Sequence, residues 1–540
     1  MTHGMVCAPQ PEAVEAGALA LRNGGNAVDA AIVCALVQTA VDPQMCGIAG
    51  FGSLHLYLPG RGVHRCFDFH GRAPAKARPE MWADLIEWEA EDGFGFKLSG
   101  QVNDLGYQAI TTPGSLKAYH EALSRYGTLD WKDALAPAIG YAEDGFMIRP
   151  HVHEFWTRKE AFGLVDHVER LRFSASGRRI YFDDSGALRQ PGTILKNPDM
   201  ARTLGRIAED GIEVFYRGEI AQTVAADMER GGGLLSLDDL KGTATEDNEP
   251  LWGEYRGHRI ATNPPPGGGI MVLEMLHILE HFDLEALGHN SADYIRIVSE
   301  AMKRATLDKD RLVGDPKFVD VPVERLLSRE YAREQAEAIE RGEVAHVPRY
   351  GAKPEPDKPE PKDTTHVSVV DADGNAVSMT HSLGMPSGVI TDGLGFMYNG
   401  CMAVFDPRPG RTGSIAPGKA RFTSMAPTIV FSGETPRLVL GAPGGTFIAM
   451  GILQTILNAI DFAMTPAEAV AAPRFCATSD VIGVTNRIPR FVQAKLEARG
   501  YQVRRSHRSH HFAGVHAIGI KDGQWQGGAD PGRDGMALEV

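Results

Sequence analysis

The sequence predicts an α+β protein with extensive helical cladding, and three observations support this prediction. Apolar residues recur at helical spacing from Pro11 to Asp42 and again through much of the block from Gly114 to Ala345. The segment after a proline-rich stretch alternates like two strands joined by an Asp-Gly turn. The 540 residues are 43% hydrophobic, with 61 glycines and 33 prolines, which excludes disordered and collagen-like chains.

The N-terminal region is predicted to form two helices followed by a strand. The helical pattern breaks at 23–26, where Asn-Gly-Gly-Asn ends one helix and starts the next. The second helix is rich in alanine and apolar on most faces, so we expect it to be buried between layers. A strand is expected at 53–58. Neither GxGxxG nor GxxxxGK[ST] occurs in the chain, so no nucleotide cofactor is expected.

The middle of the chain is predicted to be mostly helical and to end in a linker. Residues 351–363 alternate prolines with charges, a composition typical of a solvated linker. We therefore divide the chain into a helix-rich segment, 1–363, and a second segment, 364–540. The helices expected before the linker are 118–126, 131–141, 200–207, 220–228, 270–282 and 292–312.

The second segment is predicted to begin with a β-hairpin. Its strands cover 364–371 and 375–380 and are joined by an Asp-Gly turn. Two further strands are expected at 428–431 and 437–440. An apolar helix is then expected at about 447–460.

Charge and composition exclude several classes of function. The formal net charge of −14 disfavours a nucleic-acid partner. The six cysteines are far apart and lack CxxC spacing, so we expect free thiols. His507, His510 and His511 lack neighbouring carboxylates, so we interpret them as a solvated polar segment and expect no metal site. Without an apolar stretch of ~18 residues or a signal sequence, we expect a cytoplasmic protein with no membrane partner.

Thr364, the first residue after the linker, is the main candidate nucleophile. A hydroxyl needs a nearby base, and a threonine at a chain N-terminus carries its own α-amine, with a pKa near ~8. Cleavage before Thr364 would create that arrangement. Two threonines at the start of a strand are also explained by ordinary β-propensity. No GxSxG motif supports a serine hydrolase of the nucleophile-elbow type.

Gly444 and Gly445 form a second candidate feature. They lie between a predicted strand and an apolar helix. Their N–H groups could hold an oxyanion at the positive end of the helix dipole. A tight turn with close packing explains the two glycines equally well.

Motifs across nearly the whole chain resemble those of the gamma-glutamyltransferase family, in the family's order. The resemblance implies a four-layer αββα sandwich of the N-terminal nucleophile hydrolase type. It also implies one polypeptide that cuts itself between Asp363 and Thr364 into a large and a small subunit, which form one interwoven domain. The motifs are GNAVDAA at 25–31, FDFHGRAPAKA at 67–77, TNPPPGGG at 262–269, TTHVSVVDADGNAVSMTHS at 364–382, TSMAPTIV at 423–430, GAPGGT at 441–446 and APRF at 472–475.

The resemblance further implies roles for individual residues. Thr364 would be nucleophile and base together, and Ser382, where a threonine is usual, would be the assisting hydroxyl. The N–H groups of the Gly444-Gly445 pair would hold the oxyanion. Thr423 and Ser424 match the hydroxyl pair that holds the substrate's carboxylate.

Four positions depart from the family pattern for binding a γ-glutamyl group. His70 replaces the arginine that holds the carboxylate, and Val404 replaces the aspartate that pairs with the ammonium group. Cys401 and Gly384 replace the neighbouring glutamine and asparagine. Arg72, two residues after His70, could stand in for the missing arginine. Each lost charged partner costs about 1.5 to 3 kcal/mol of binding.

We therefore expect an amidohydrolase that acts on a small or non-glutamyl acyl group, such as an oxamate-type amide or an acylase substrate. The alternatives are a true γ-glutamyl transferase or hydrolase and a non-catalytic relative that acts as a binding protein. An ammonium group against Val404 should be penalised, unless its recognition has moved to Asp392 or Asp406. The expected partners are a small-molecule amide and the two subunits of one precursor, with no cofactor; a homo-oligomer is left open.

Overall fold

The computed structural model describes residues 3–160, 163–351, 364–521 and 524–540. The predicted linker, apart from Gly351, lies outside the described residues, as does Asp363 on the amino side of the expected cut. No helix in the described part of the chain is long and apolar enough to cross a membrane. All six cysteines are buried free thiols, as predicted.

Strands occur on both sides of the linker. Those before it are β1 (Gly4–Ala8), β2 (Phe51–Leu58), β3 (Val63–Phe69), β4 (Ile86–Glu89), β5 (Phe96–Leu98), β6 (Phe146–Met147), β7 (Ile194–Leu195), β8 (Glu246–Asn248), β9 (Leu251–Tyr255) and β10 (His258–Thr262). Those after it are β11 (Thr365–Asp371), β12 (Ala376–Ser382), β13 (Thr428–Ser432), β14 (Thr435–Gly441), β15 (Phe475–Cys476), β16 (Val481–Val484), β17 (Gln502–Arg505), β18 (His516–Lys521), β19 (Gln524–Ala529) and β20 (Met536–Glu539).

Most of the helices precede the linker. They are α1 (Pro11–Arg22), α2 (Ala27–Val41), α3 (Ser115–Tyr126), α4 (Trp131–Asp144), α5 (Pro150–Thr157), α6 (His167–Phe173), α7 (Ala175–Tyr181), α8 (Pro198–Asp210), α9 (Glu213–Tyr216), α10 (Glu219–Arg230), α11 (Leu237–Lys241), α12 (Gly269–Leu279), α13 (Leu284–Leu287), α14 (Ala292–Leu312), α15 (Val323–Leu326) and α16 (Arg329–Glu340). The later ones are α17 (Ile448–Ile460), α18 (Pro466–Ala471) and α19 (Arg490–Glu497), and a short 3₁₀ turn, Gly445–Phe447, precedes α17.

Two antiparallel sheets form the centre of the fold. In the described residues the first has the order β20-β1-β11-β12-β2-β3-β8 and the second β19-β18-β14-β13-β10-β9. The hairpin β11–β12 therefore lies in the middle of the first sheet, hydrogen-bonded to β1 on one side and β2 on the other.

Side-chain alternation along β11 connects three of the four layers. Val367 and Val369 pack in the apolar cluster that includes α2, whereas Val370 packs against residues of the second sheet. This two-residue period follows from the pleat of a strand. A further cluster joins the second sheet to α12, α14 and α17. The order helix, sheet, sheet, helix is the predicted αββα sandwich.

Helix α2 covers the first sheet and is buried along its whole length. It begins with a capping box, in which the Asn26 side chain accepts from the Asp29 N–H and Asp29 accepts from the Asn26 N–H. Since every face of α2 contacts protein, its alanine-rich sequence suits close packing between layers. The prediction of a buried second helix is thus confirmed.

The structure contains several strands that the sequence-based expectations lacked, including β1 and β3 in the first sheet and two hairpins in the second. Strands β9 and β10 lie inside the block expected to be mostly helical, and β18 and β19 near the C-terminus had no predicted counterpart. These four strands are five or six residues long, and each hairpin joins the sheet through a distant partner: β10 pairs with β13, and β18 pairs with β14. Local periodicity is weak in such short segments.

Candidate active site

The predicted nucleophile and its assisting hydroxyl lie next to each other at one end of the β11–β12 hairpin. Thr365 pairs with His381, and one step further the Thr364 Oγ1 lies 2.9 Å from the Ser382 Oγ. The Ser382 Oγ also accepts a hydrogen bond of 2.8 Å from the Gly384 N–H. Thr364 is buried, with 4% of its surface exposed. The hairpin thus holds the two hydroxyls in contact, and the Gly384 N–H fixes the position of the Ser382 hydroxyl.

Thr364 also has an unusual backbone conformation. Its φ is +124°, whereas β-branched residues rarely adopt positive φ. Such a conformation costs on the order of 1–3 kcal/mol and persists only where the surroundings impose it. The torsion involves the bond to residue 363, so cleavage of that bond would remove the constraint.

Gly444 and Gly445 lie between β14 and α17, as predicted. Their φ values are +140° and +56°, and a Cβ on Gly444 would lie 2.7 Å from the Ala513 Cα. Glycine is therefore required at 444 by both conformation and space. Among the described residues, no oxygen accepts a hydrogen bond from either N–H group. Both N–H groups therefore lack a protein acceptor in the described part of the chain.

Thr423 and Ser424 are held by the glycine-rich loop at 262–269. The Thr423 N–H donates to the Pro266 carbonyl at 2.9 Å, and a Cβ on Gly268 would lie 2.5 Å from the Ser424 carbonyl oxygen. The absence of a side chain at 268 allows the two backbones to approach closely. This packing fixes the position of the hydroxyl pair relative to the loop.

These elements surround one cavity of about 390 Å³. Its lining includes Thr364, Ser382, Thr423, Ser424 and Gly445 from the predicted machinery. Four segments separated by up to 81 residues therefore meet at one site. Gly444 lies beside Gly445 but faces a smaller neighbouring recess.

Most of the charged side chains on the cavity wall are paired with one another. Arg349 donates to Asp310 at 2.6 Å, and Arg408 donates through two nitrogens to Asp406 at 2.8 and 2.6 Å. Burial raises the pKa of Asp310, but Lys309 and Arg349 outweigh it, and the pKa lies below its usual value. These groups form a rigid, neutralised rim.

Arg421 is the exception, and our sequence analysis did not select it. It is 7% exposed and lines the cavity, with its guanidinium carbon 4.7 Å above the centre of the Phe51 ring. No carboxylate pairs with it among the described residues. It lies two residues before Thr423, and this closeness in sequence to the predicted hydroxyl pair is the feature that could have identified it as a candidate site residue.

Two residues predicted to bind substrate do not line the cavity. His70 is buried with its Nε2 3.3 Å from the Asp68 Oδ1. The guanidinium of Arg72 donates to Asp315 at 3.3 Å and to Glu246 at 2.9 Å. Arg72 is thus paired with two carboxylates and lies outside the lining of the cavity, so its predicted contact with substrate has no support from this arrangement.

Of the three remaining positions at which the family pattern changes, two line the cavity and one lies behind its wall. Val404 and Gly384 line the cavity, whereas Cys401 lies behind its surface. A Cβ on Gly384 would lie 3.2 Å from the Cys401 Sγ and 3.3 Å from the Phe51 ring. Burial raises the pKa of the Cys401 thiol to about 11, although Arg421 opposes the shift. The thiol is therefore uncharged at neutral pH and lies outside the lining of the cavity.

Neither alternative ammonium partner is free in the cavity. Asp392 is exposed, pairs with Arg179 and does not line the cavity. Asp406 lines it, but both of its carboxylate oxygens accept from Arg408. An ammonium group at Asp406 would have to compete with a bidentate guanidinium pair.

A polar network lies on the opposite face of the same hairpin. The His381 ring contacts the Tyr119 hydroxyl at 2.6 Å and the Gln38 Oε1 at 2.7 Å. Gln38 donates to Thr365 at 3.0 Å and to Gln10 at 2.6 Å. Burial lowers the pKa of His381 to about 3, so the ring is neutral. This network anchors the residues next to Thr364 and Ser382.

The described residues contain no group of three or more histidines, cysteines or carboxylates that could hold a metal ion. His510 and His511 line one neighbouring recess together with Arg508 and Asp530. His507 and His511 line another, which includes Glu91 and Asp92.

Comparison with known proteins places this site in context. The sequence profile described as gamma-glutamyltranspeptidase matches residues 13–540. The acylase ACY 1 proenzyme of Pseudomonas sp. (strain V22) is 38% identical over 545 residues, covering 100% of this chain and 94% of that protein. The glutathione hydrolase proenzyme of Bacillus subtilis (strain 168) is 33% identical over 559 residues, with coverages of 99% and 91%. The crystal structure of cephalosporin acylase from Bacillus halodurans superposes with a TM-score of 0.86 at 29% identity, covering 99% of this chain and 96% of that one.

Proposed function

The chain belongs to the gamma-glutamyltranspeptidase family, and on this premise we propose that it is a self-processing amidohydrolase with Thr364 as nucleophile and a non-glutamyl acyl substrate. The observation that carries the proposal is the Thr364–Ser382 hydroxyl contact of 2.9 Å in a cavity whose expected ammonium-binding position is Val404. The two hydroxyls support acyl transfer, whereas the described carboxylates that line the cavity are already paired with arginines and leave no free partner for an ammonium group.

Processing would use the same hydroxyl as the later reaction. The Thr364 oxygen attacks the preceding peptide carbonyl, the C–N bond breaks, and the acyl group moves to oxygen as an ester. This step frees the α-amine of Thr364, and water then hydrolyses the ester, releasing the carboxylate of residue 363 and restoring the Thr364 hydroxyl. The positive φ of Thr364 supports this step because bond cleavage relieves the backbone constraint.

In the processed enzyme, the new α-amine would act as the base. It accepts the hydroxyl proton as the Thr364 oxygen attacks the substrate amide, and the N–H groups of Gly444 and Gly445 stabilise the oxyanion. The amine leaves with that proton, and an acyl ester remains on Thr364. Water activated by the same α-amine completes hydrolysis and restores the hydroxyl. Ser382 keeps the nucleophile oriented throughout.

The cavity wall supports an acyl group without an α-amine. An ammonium group placed against Val404 would lose its hydration without gaining a partner, and Asp406 is already paired with Arg408. The 38% identity to an acylase proenzyme favours the same conclusion. A γ-glutamyl hydrolase is the competing assignment, since a glutathione hydrolase proenzyme is 33% identical.

Denaturing electrophoresis of the purified protein tests self-processing. We expect fragments covering residues 1–363 and 364–540, with Thr364 identified by N-terminal sequencing. Thr364→Ala should remain a single inactive chain, and Thr364→Ser should still cut because it keeps the hydroxyl. An uncut wild-type chain with full amidase activity would refute the proposal.

A further inference from the structure

Arg421 is a buried cation without an anion among the described residues. Its Nη1 donates to the Phe422 carbonyl at 2.9 Å, while its Nε has no hydrogen-bond partner in that part of the chain. Its side chain also contacts the Cys401 thiol. Backbone carbonyls and thiols satisfy donors, but they do not neutralise a charge.

The other cations that line the cavity are either paired with a carboxylate or exposed to solvent. Arg349 and Arg408 are each held by a carboxylate within 2.6 Å, and Lys309 is paired with Asp310. Arg311 and Arg411 are exposed, so water hydrates them. Burial lowers the pKa of Arg421, the direction expected for a cation that lacks its counter-ion.

Three features explain how the guanidinium is accommodated. Gly384 has no side chain, Cys401 is small and uncharged, and Phe51 provides an aromatic face 4.7 Å from the guanidinium carbon. The family's larger polar residues at 384 and 401 would compete for this space. The small residues at positions 384 and 401 therefore leave the space that the Arg421 side chain occupies.

A buried, unpaired charge is costly to maintain. Arg421 and the hydroxyls of Thr423 and Ser424 line the same cavity as Thr364. A carboxylate bound there would accept from a planar guanidinium and from hydroxyl donors, which is the preferred environment for that group. The cavity is thus built to receive a negative charge.

We propose that Arg421 binds a carboxylate on the acyl group of the substrate, so that the enzyme cleaves monoamides of dicarboxylic acids that lack an α-amine. This inference rests on the proposed function. It assigns the charge recognition that the sequence analysis sought at Arg72 to a residue from a different loop.

Anilides with a common, neutral leaving group test the proposal. Glutaryl anilide carries the carboxylate, pentanoyl anilide replaces it with a methyl group, and γ-glutamyl anilide adds the α-amine. For the processed wild-type enzyme, we expect kcat/KM for glutaryl anilide to exceed that for pentanoyl anilide by about 10- to 100-fold. We also expect glutaryl anilide to be at least as good a substrate as γ-glutamyl anilide.

Arg421→Gln should lower kcat/KM for glutaryl anilide by about 10- to 100-fold and lower kcat/KM for pentanoyl anilide by far less, so that the preference is lost. Arg421→Lys should retain part of it. The matched control Arg411→Gln, which removes an exposed cation from the same cavity, should preserve the preference. If Arg421→Gln lowers kcat/KM equally for both anilides, or for neither, the assignment of Arg421 is wrong. It is also wrong if the carboxylate that Arg421 binds belongs to the amine side of the substrate.

Folding and the underlying activity are checked separately. Fragment formation by Arg421→Gln reports an intact fold, and if that variant does not process, glutarate and pentanoate are compared as ligands of wild-type enzyme. Glutarate should raise the thermal midpoint and pentanoate should not; equal effects would refute the proposal. Wild-type cleavage of pentanoyl anilide as fast as glutaryl anilide overturns only the role of Arg421. A processed enzyme that prefers γ-glutamyl anilide by ~100-fold overturns the non-glutamyl proposed function.

Discussion

A side chain in this cavity can serve the substrate only to the extent that other residues leave it available. Arg408 and Asp406 satisfy each other, and Arg72 is held by Asp315 and Glu246 outside the cavity. Ser382 is used differently. Its oxygen accepts from the Gly384 N–H, and its hydroxyl proton remains able to reach Thr364.

Ser382→Ala should lower kcat by about tenfold or more, corresponding to at least ~1.4 kcal/mol of transition-state stabilisation. The physical reason is that the Thr364 hydroxyl loses its contact and the Gly384 N–H loses its acceptor. Single-turnover and steady-state rates on the preferred amide measure the effect in processed enzyme.

Ser378 provides a matched control on the same strand. It is buried, and its Oγ donates to the Leu440 carbonyl at 2.8 Å between the two sheets. Ser378→Ala should reduce thermal stability while changing kcat by less than threefold. If Ser382→Ala leaves kcat unchanged, Ser382 has only a structural role at the end of β12.

At the scale of secondary-structure elements, the β11–β12 hairpin is fixed from both faces. One face contacts the second sheet, and the other contacts helix α2 through Gln38. The network ends at Asp42, which accepts from Gln10 at 2.8 Å. Burial raises the pKa of Asp42 to about 6, although Arg149, Gln10 and Arg533 oppose the shift.

This raised pKa predicts a pH-dependent contribution to stability. Because the folded state holds the Asp42 proton more tightly than the unfolded state, the contribution is complete below about pH 4. It is lost as the pH rises through about 6. Asp42→Asn should remove this dependence, and the variant should gain up to about 2–3 kcal/mol relative to wild type at pH 7.5.

Thermal midpoints of the uncut Thr364→Ala chain, with and without Asp42→Asn, measure the difference at pH 4 and pH 7.5. The exposed Asp320→Asn serves as a control for the general effect of removing a negative charge. The raised pKa would be contradicted if the chain with Asp42 has a higher thermal midpoint than the Asp42→Asn chain and this difference is larger at pH 7.5 than at pH 4.

At the scale of the whole molecule, the expected cut separates strands that remain paired. Strands β11 and β12 belong to the second fragment, but both of their outer neighbours, β1 and β2, belong to the first. The second sheet also combines β9 and β10 with β13, β14 and β18. Each fragment alone would expose sheet edges and two apolar layers.

The two fragments should therefore stay together after processing. On gel filtration they should co-elute in low salt and in 1 M NaCl, because buried apolar area and strand pairing are not screened by ions. The formal charges of −16 on residues 1–363 and +2 on residues 364–540 make only a weak electrostatic contribution. Only denaturant should separate the fragments; separation by salt alone would mean that charge attraction holds them.

Much of the fold could be predicted because its signals are local. Helix α14 has the predicted bounds, 292–312, and the hairpin follows its Asp-Gly turn. The contact between Thr364 and Ser382 is also a local consequence, since an antiparallel hairpin brings residues 18 apart into register. Strands β9, β10, β18 and β19 were not predicted, because the hairpins β9–β10 and β18–β19 join the second sheet through β13 and β14, which lie far away along the chain.

The sequence by itself determined the family, the layered fold, the hairpin that carries Thr364 and Ser382, and the valine at position 404, because each depends on residue types at short spacing. Only the tertiary structure decided which arginine lacks a carboxylate partner on the cavity wall. Arg72 is occupied by Asp315 and Glu246, which lie 243 and 174 residues away, whereas Arg421 is buried on the cavity wall without a carboxylate in the described chain. Whether a charged side chain is already paired depends on contacts between distant segments, and these contacts cannot be predicted from the local sequence.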